Sequence, residues 1–259
     1  MSATFIGIDL AWRSERNPSG AATLAGNRSG SQLVVVSPPL RSTDAVFEFV
    51  RLHATEETVV AVDAPMVIVN DTGQRICETL IGKRYGSREA SCHTSNLGLY
   101  PQASSVWLTK ALETEGFVHV EQLKEQRTGR ILLEVYPHAA MVALFDLPKT
   151  IKYKKGSVAS RRFGLETLRS HLQQLTSATP PLCSSPLLQD LFTQELTQLA
   201  GRALKDYEDS LDALFCAYLS YYFWYWGWER NELFGDVESG YMLNPTLKPA
   251  TPAVENESL

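Results

Sequence analysis

Thr4-Phe5-Ile6-Gly7-Ile8-Asp9-Leu10-Ala11-Trp12 is the stretch on which the reading of the fold turns. Its β-favouring Phe and Ile form a short apolar run that stops at a carboxylate, the pattern of a buried strand carrying Asp9 at its end. Pro18-Ser19-Gly20 then marks a turn, and strands are expected at Ala21 to Leu24 and at Gln32 to Ser37. Strands so closely spaced predict an antiparallel meander. Thr43 is the expected N-cap of a helix running to about Arg51, with Val46, Phe47 and Val50 on one face. Thr58-Val59-Val60-Ala61-Val62-Asp63 repeats the opening motif, an apolar strand ending in Asp before Ala64-Pro65 breaks it.

Farther along, the pattern predicts helices at Gln74 to Ile81 and Ala103 to Gly116, separated by a long loop from Gly82 to Pro101. Arg130 to Val135 reads as a fifth strand carrying Glu134, followed by a helix from Pro137 to about Phe145. Helices are expected over Arg161 to Leu175, Leu188 to Ala203 and Asp206 to Trp228, then a hairpin over Leu233 to Leu243. The order predicts an α/β protein with a mixed five-stranded sheet flanked by helices, carrying helical and loop insertions. Residues 1–244 are expected to form a single domain and 245–259, rich in Pro, Thr and Glu, a disordered tail.

Composition bounds the rest. The 259 residues are 44% hydrophobic and 20% charged, enough to bury a sizeable core. A net charge of −5 argues against a surface that coats polyanions generally, while leaving room for a local basic groove. Cys77, Cys92, Cys183 and Cys216 have no zinc-site spacing. Nor does the N-terminal segment read as a signal peptide. The expected setting is therefore a reducing cytoplasm, with no membrane span.

Asp9 and Asp63 are expected at the carboxyl ends of neighbouring strands, the edge where open α/β sheets bind ligands. Glu208-Asp209-Ser210-Leu211-Asp212 adds two carboxylates three residues apart, on one face of a helix. Each Asp alone is equally a turn or helix-start residue. Together they point to a divalent cation, because gathered carboxylates are costly to desolvate without one and oxygen-only ligands suit Mg²⁺ or Mn²⁺.

The segments GIDLAW, AVDAP, Arg75-x-Cys77-Glu78, LLEVYPHA and ED-x-x-DALFCAYLSYY resemble a family of predicted nucleases, domain of unknown function 429, from about residue 4 to 244. That resemblance implies a ribonuclease H-like fold. Asp9, Asp63, Asp209 and Asp212 are more distantly similar to the acidic tetrad of Holliday-junction resolvases, which carry Glu where Asp63 stands. The resemblance implies phosphodiester hydrolysis of DNA or RNA with two Mg²⁺ or Mn²⁺ ions.

Glu134 is a further candidate for the catalytic group, as a ligand or a base behind the ligands. Arg75, Arg88 and His93, in the region after the fourth strand, are candidates for binding substrate, as are Lys154 and Lys155 in the basic segment 149–162. A solvated loop is the plainer reading of both segments. The aromatic run Tyr221 to Trp228 suggests a homodimer surface. Two other functions compete: a non-catalytic nucleic-acid or protein-binding module of the same fold, and a sugar-kinase-like phosphotransferase. The second lacks the glycine-rich phosphate loop it would need after Asp9, where Leu10-Ala11-Trp12 stands instead.

Overall fold

A computed structural model describes residues 2–13, 17–120 and 129–247. Strand β1 (Ala3–Asp9) pairs antiparallel with β2 (Gly20–Asn27), and β2 with β3 (Gly30–Val36), which is the expected meander. On its other side β1 runs parallel to β4 (Thr58–Asp63), and β4 parallel to β6 (Arg130–Glu134). Two short strands extend the edges: β5 (Val118–His119) beside β6, and β7 (Leu182–Cys183) beside β3. The sheet thus has seven strands rather than five, in the order β5-β6-β4-β1-β2-β3-β7. The added pair are two residues each, too short to leave a hydrophobic period in the sequence. This mixed sheet flanked by helices is consistent with a ribonuclease H-like arrangement.

Alternation along the strands sorts the core into two layers. Ile6, Ile8, Val60, Val62 and Leu132 face helices α1 (Thr43–His53) and α3 (Ser104–Thr114), with Val46, Val50, Leu108 and Leu112. Phe5, Ala22, Leu24, Val59 and Ala61 face the other side, where a long central helix lies. Asp9 and Asp63 fall on this second face, in phase with Phe5 and Ala61. The cap of α1 is Ser42, whose hydroxyl accepts from the Ala45 N–H, one residue earlier than expected.

Between the layers' flanks lie α2 (Ile76–Tyr85), α4 (Pro137–Leu144), α5 (Val158–Gln174) and α6 (Pro186–Thr193). The central helix, α7, spans Gly201–Trp226 and is about 39 Å long at 1.5 Å per residue. Expected helix ends fail here. The stretch read as one helix from Leu188 to Ala203 is α6, a short turn at Leu196–Gln198, and the start of α7. Asp209 and Asp212 therefore lie more than two turns inside α7, beyond the reach of its N-terminal dipole. Capping does not account for them.

Two glycines let α7 press on the sheet. A Cβ on Gly7 would stand 1.9 Å from Ala217 N and 2.2 Å from Ala213 O, and one on Gly20 would stand 2.5 Å from Asp209 O. The helix backbone rests directly on β1 and β2, which delivers Asp209 and Asp212 to the end of β1. Farther along, Tyr221, Tyr222, Phe223 and Trp224 are buried. Phe5 packs on Tyr221 and Trp224 at 4.9 and 5.4 Å between ring centres, while Tyr218 donates to Pro180 O on the opposite side. The aromatic run is thus core on both faces, because α7 is covered by the sheet and by the 178–182 segment. Near its end Tyr225 and Trp226 are half-buried and Trp228 is exposed, so the part of the run open to a partner is confined to that end.

The chain returns as a hairpin, β8 (Asn231–Asp236) and β9 (Gly240–Pro245). It seats on α2 and β6 through Asn244 to Tyr85 Oη (2.8 Å) and Tyr241 to Leu132 O (3.0 Å). Pro245, the first residue of the expected tail, ends β9; residues 248–259 lie outside the described part. Among the described residues no helix is long and apolar enough to cross a membrane. All four cysteines are free.

Candidate functional site

Asp9 and Asp63 are direct partners in the parallel register of β1 and β4, so their side chains leave the sheet edge together. Asp212 is fully buried and Asp209 is 4% exposed, both projecting from α7 toward that edge. Three separate chain segments thus bring the four expected carboxylates into one cluster. Sequence reading names the acids, and names Lys154 only as a substrate-binding candidate; it misses Lys205 and the pairing of both lysines with the carboxylates.

Lys154 Nζ lies 3.0 Å from Asp212 Oδ2 and 3.9 Å from Asp9 Oδ1. Tyr153, its neighbour, donates to Asp212 Oδ1 at 2.6 Å. Lys205, one helical turn before Asp209, donates to Asp209 Oδ1 (2.5 Å) and Glu208 Oε1 (2.8 Å). Arg161 pairs with the other Glu208 oxygen at 3.0 Å. Two ammonium groups facing four carboxylates leave the cluster short of positive charge. Its proton affinity shows this: burial pushes the Asp63 carboxyl up to about 8, with Lys154 opposing and Asp9 adding to the rise. Burial and then Asp9 likewise push Asp209 up to about 8 against Lys205. Asp212 rises only to about 6, because Lys154 opposes its burial most directly.

The donor set suits a hard divalent cation. Asp209 Oδ2 and Asp212 Oδ2 are buried and accept no hydrogen bond among the described residues; the latter meets Lys154 in an ion pair only. Every donor is a carboxylate oxygen, the chemistry of Mg²⁺ and Mn²⁺ sites. Among the described residues, however, no three His, Cys, Asp or Glu side chains stand in ready-made metal-binding geometry. Lys154 occupies the space between Asp9 and Asp212, so a cation there must displace or share with the ammonium.

Glu134 goes elsewhere. Its partner in the β4–β6 register is Val62, not Asp63, so it is one position out of step with the carboxylates and turns away from Asp209 and Asp212, although it lines the same cleft as Asp63. There Arg75 grips it through two bonds, Nη2 to Oε1 at 2.6 Å and Nη1 to Oε2 at 3.0 Å. The Met66 N–H donates to Oε2 at 2.7 Å. Arg75 also donates through Nε to Glu78 (3.0 Å), and Glu78 accepts from the Ser95 N–H (3.1 Å) and hydroxyl. This buried clamp ties the segment after β4 to the loop around Ser95. Arg75, expected at the mouth to receive substrate, is 2% exposed and committed to two carboxylates. The reason is fork geometry: a guanidinium matches a buried carboxylate in two places at once.

Arg88 donates to Leu147 O (2.9 Å) and its carbonyl accepts from Thr150 N, so it anchors the loop that carries Lys154. Glu89 holds the same loop through Lys149 and Lys152. His138, on α4, is half-buried, bonded to Thr150 Oγ1 at 3.0 Å, and held neutral by desolvation, which lowers its pKa to about 3. Lys155 and His93 are exposed. His93 lines a cleft with Trp12, Asp63, Pro65, Tyr136 and Met242, beside the carboxylates.

The family model described as a protein of unknown function (DUF429) matches residues 7–227, most of the described chain and every carboxylate of the cluster. The chain belongs to the DUF429 family. No curated protein and no solved structure matches it at a significant level. In this DUF429 protein the paired strand ends, the deep helix pair and Lys154 therefore stand on geometry alone, and their chemistry follows from their own surroundings.

Proposed function

We propose that this DUF429 protein is a metal-dependent nuclease, hydrolysing phosphodiester bonds at the Asp9–Asp63–Asp209–Asp212 cluster. One observation carries the reading: four carboxylates from three segments converge on two lysines, in a setting where burial first and then the neighbouring Asp9 raise the proton affinity of Asp63 and Asp209. Nature rarely gathers such charge for stability, since apolar packing of similar volume does as well or better.

Bound between these residues, two Mg²⁺ or Mn²⁺ ions would supply Lewis acidity toward phosphate and a nucleophilic water. The chain does the rest. Asp9 and Asp63 hold the sheet side of the cluster, while Asp209 and Asp212 hold the helix side. Tyr153 fixes the rotation of Asp212 through its 2.6 Å bond. Lys154, once released from Asp212, places an ammonium beside the phosphate. Glu134 lies outside the reacting group and positions the loop after β4 through Met66 and Arg75. Four free thiols suit a cytoplasmic setting.

The test is a panel of single-stranded, duplex, hybrid and branched substrates with Mg²⁺ or Mn²⁺. Cleavage is expected, and is expected to vanish in Asp9→Asn and Asp212→Asn. No cleavage of any member by clean protein sinks the proposal.

A second reading has its own observation. Lys154 and Lys205 already pair with three of the four carboxylates, as they would in a binding module that uses them structurally. Calorimetry separates the two: Mn²⁺ uptake lost in Asp9→Asn favours the nuclease, and absence of uptake favours the module.

A further inference from the structure

The cleft beside the carboxylates is more than the mouth of the acidic cluster. It is a small, half-open cleft with room for about 70 Å³, so it offers a surface to lie against and not an enclosed chamber. Asp63 belongs to both, so a phosphodiester held at the carboxylates would place an adjoining nucleoside at the cleft. Beside Asp63 its lining is mostly apolar and includes three ring-bearing side chains, Trp12, Tyr136 and His93, with Pro65 and Met242. These rings are held in place. Trp12 packs edge-on against Tyr100 with centres 4.7 Å apart, and Tyr136 donates to Ser91 O at 2.9 Å. Deeper in the cleft Arg75, Glu78 and Glu134 are already bonded to one another. They leave a surface suited to π-faces and poor in free hydrogen-bonding groups that could read a base edge.

The rim carries the opposite character. Arg13 lies over the Trp12 ring at 5.9 Å, and Arg13 and Lys155 are both exposed. Both act on His93: burial first, then their positive charge, keeps its pKa below the usual value, so it presents a neutral ring at pH 7. An aromatic slot edged by cations is the construction used for single strands, where bases stack without sequence preference and phosphates meet charge.

Resting on the nuclease reading, we propose that this cleft is a subsite for one unstacked nucleobase, which makes single-stranded nucleic acid the preferred substrate. A paired base is stacked on both sides and cannot enter without being flipped out.

Binding is measured in EDTA, where no metal supports cleavage. The probe is a fluorescent oligothymidylate, compared by anisotropy with an abasic chain of equal length and with a duplex. The oligothymidylate is expected to bind about tenfold tighter than the abasic chain, the scale of stacking one base. Trp12→Ala should remove that difference and leave abasic binding unchanged, while Trp12→Phe keeps most of it. Arg13→Ala and Lys155→Ala should weaken both chains equally and flatten the salt dependence. Equal binding of the two chains, an unaffected Trp12→Ala, or preference for duplex overturns the subsite. Base-dependent binding without cleavage in the substrate panel keeps the subsite and sinks the nuclease. Cleavage with no base dependence does the reverse.

Discussion

Lys154 Nζ stands 3.0 Å from Asp212 Oδ2, an ammonium placed where the converging carboxylates call for a cation. Burial opposes the lysine's charge, yet Asp212 and Asp9 hold its pKa well above normal. The lysine is a built-in counter-ion for the metal-free protein, and Asp212 depends on it.

Lys154→Met removes that counter-ion while keeping the packing of the stem. In EDTA the variant is expected to lose on the order of 3 kcal/mol, the scale of leaving one buried charge unpaired. Mn²⁺ should restore much of the loss and bind more tightly than to wild type, since no ammonium competes. Thermal unfolding with and without Mn²⁺ checks both. An unchanged melting temperature in EDTA means that the pair does not form in solution.

The Asp63 carboxyl makes a prediction about pH. Its pKa rises from 3.8 to about 8 on folding, chiefly through burial. Between those values the folded state keeps a proton that the unfolded chain has lost. The stability this contributes is complete below about pH 4 and is lost as pH rises through 8. Asp63→Asn cannot titrate, so in EDTA its melting temperature should gain on wild type from pH 5 to 9. A constant difference across that range shows the shift to be absent.

Arg75 and Glu134 have side chains only 1% exposed, and Glu78 shares the same guanidinium. Arg75→Met should therefore cost about 3–5 kcal/mol in urea unfolding. Adding Glu134→Leu should recover part of that, giving a coupling energy of about 2 kcal/mol. Strict additivity would show the clamp to be energetically idle.

Gly7 and Gly82 separate two uses of glycine. Gly7→Ala drives a methyl group into the backbone of α7 and is expected to cost on the order of 3 kcal/mol. Gly82 sits inside α2 with nothing within 4 Å of its missing Cβ, so Gly82→Ala should add about 0.5–1 kcal/mol. Equal effects would mean that α7 does not rest on β1 as described.

Much was legible from the chain because the signals are local. The apolar runs ending at Asp9 and Asp63 name β1 and β4 to within a residue, since a buried strand needs a continuous run and a carboxylate ends it. The three-residue spacing of Asp209 and Asp212 puts them on one helix face whatever precedes them. The start of α7 was misread because Asp206 looks like a helix opening, and only the structure shows Ala200 in that role.

The acids at the two strand ends and on the helix are thus properties of the sequence, fixed by period and by run length. What they meet belongs to the tertiary structure. Glu134 was grouped with them by position along the chain, but a register of Val62 with Glu134 turns it to Arg75 instead. A one-residue offset between strands changes every side chain's face, and no single strand records it. Lys154 entered the cluster from a loop anchored by Arg88 and Glu89, contacts about sixty residues apart in the chain. Charge balance is a sum over neighbours in space, so Asp212's counter-ion was decided by the packed fold alone.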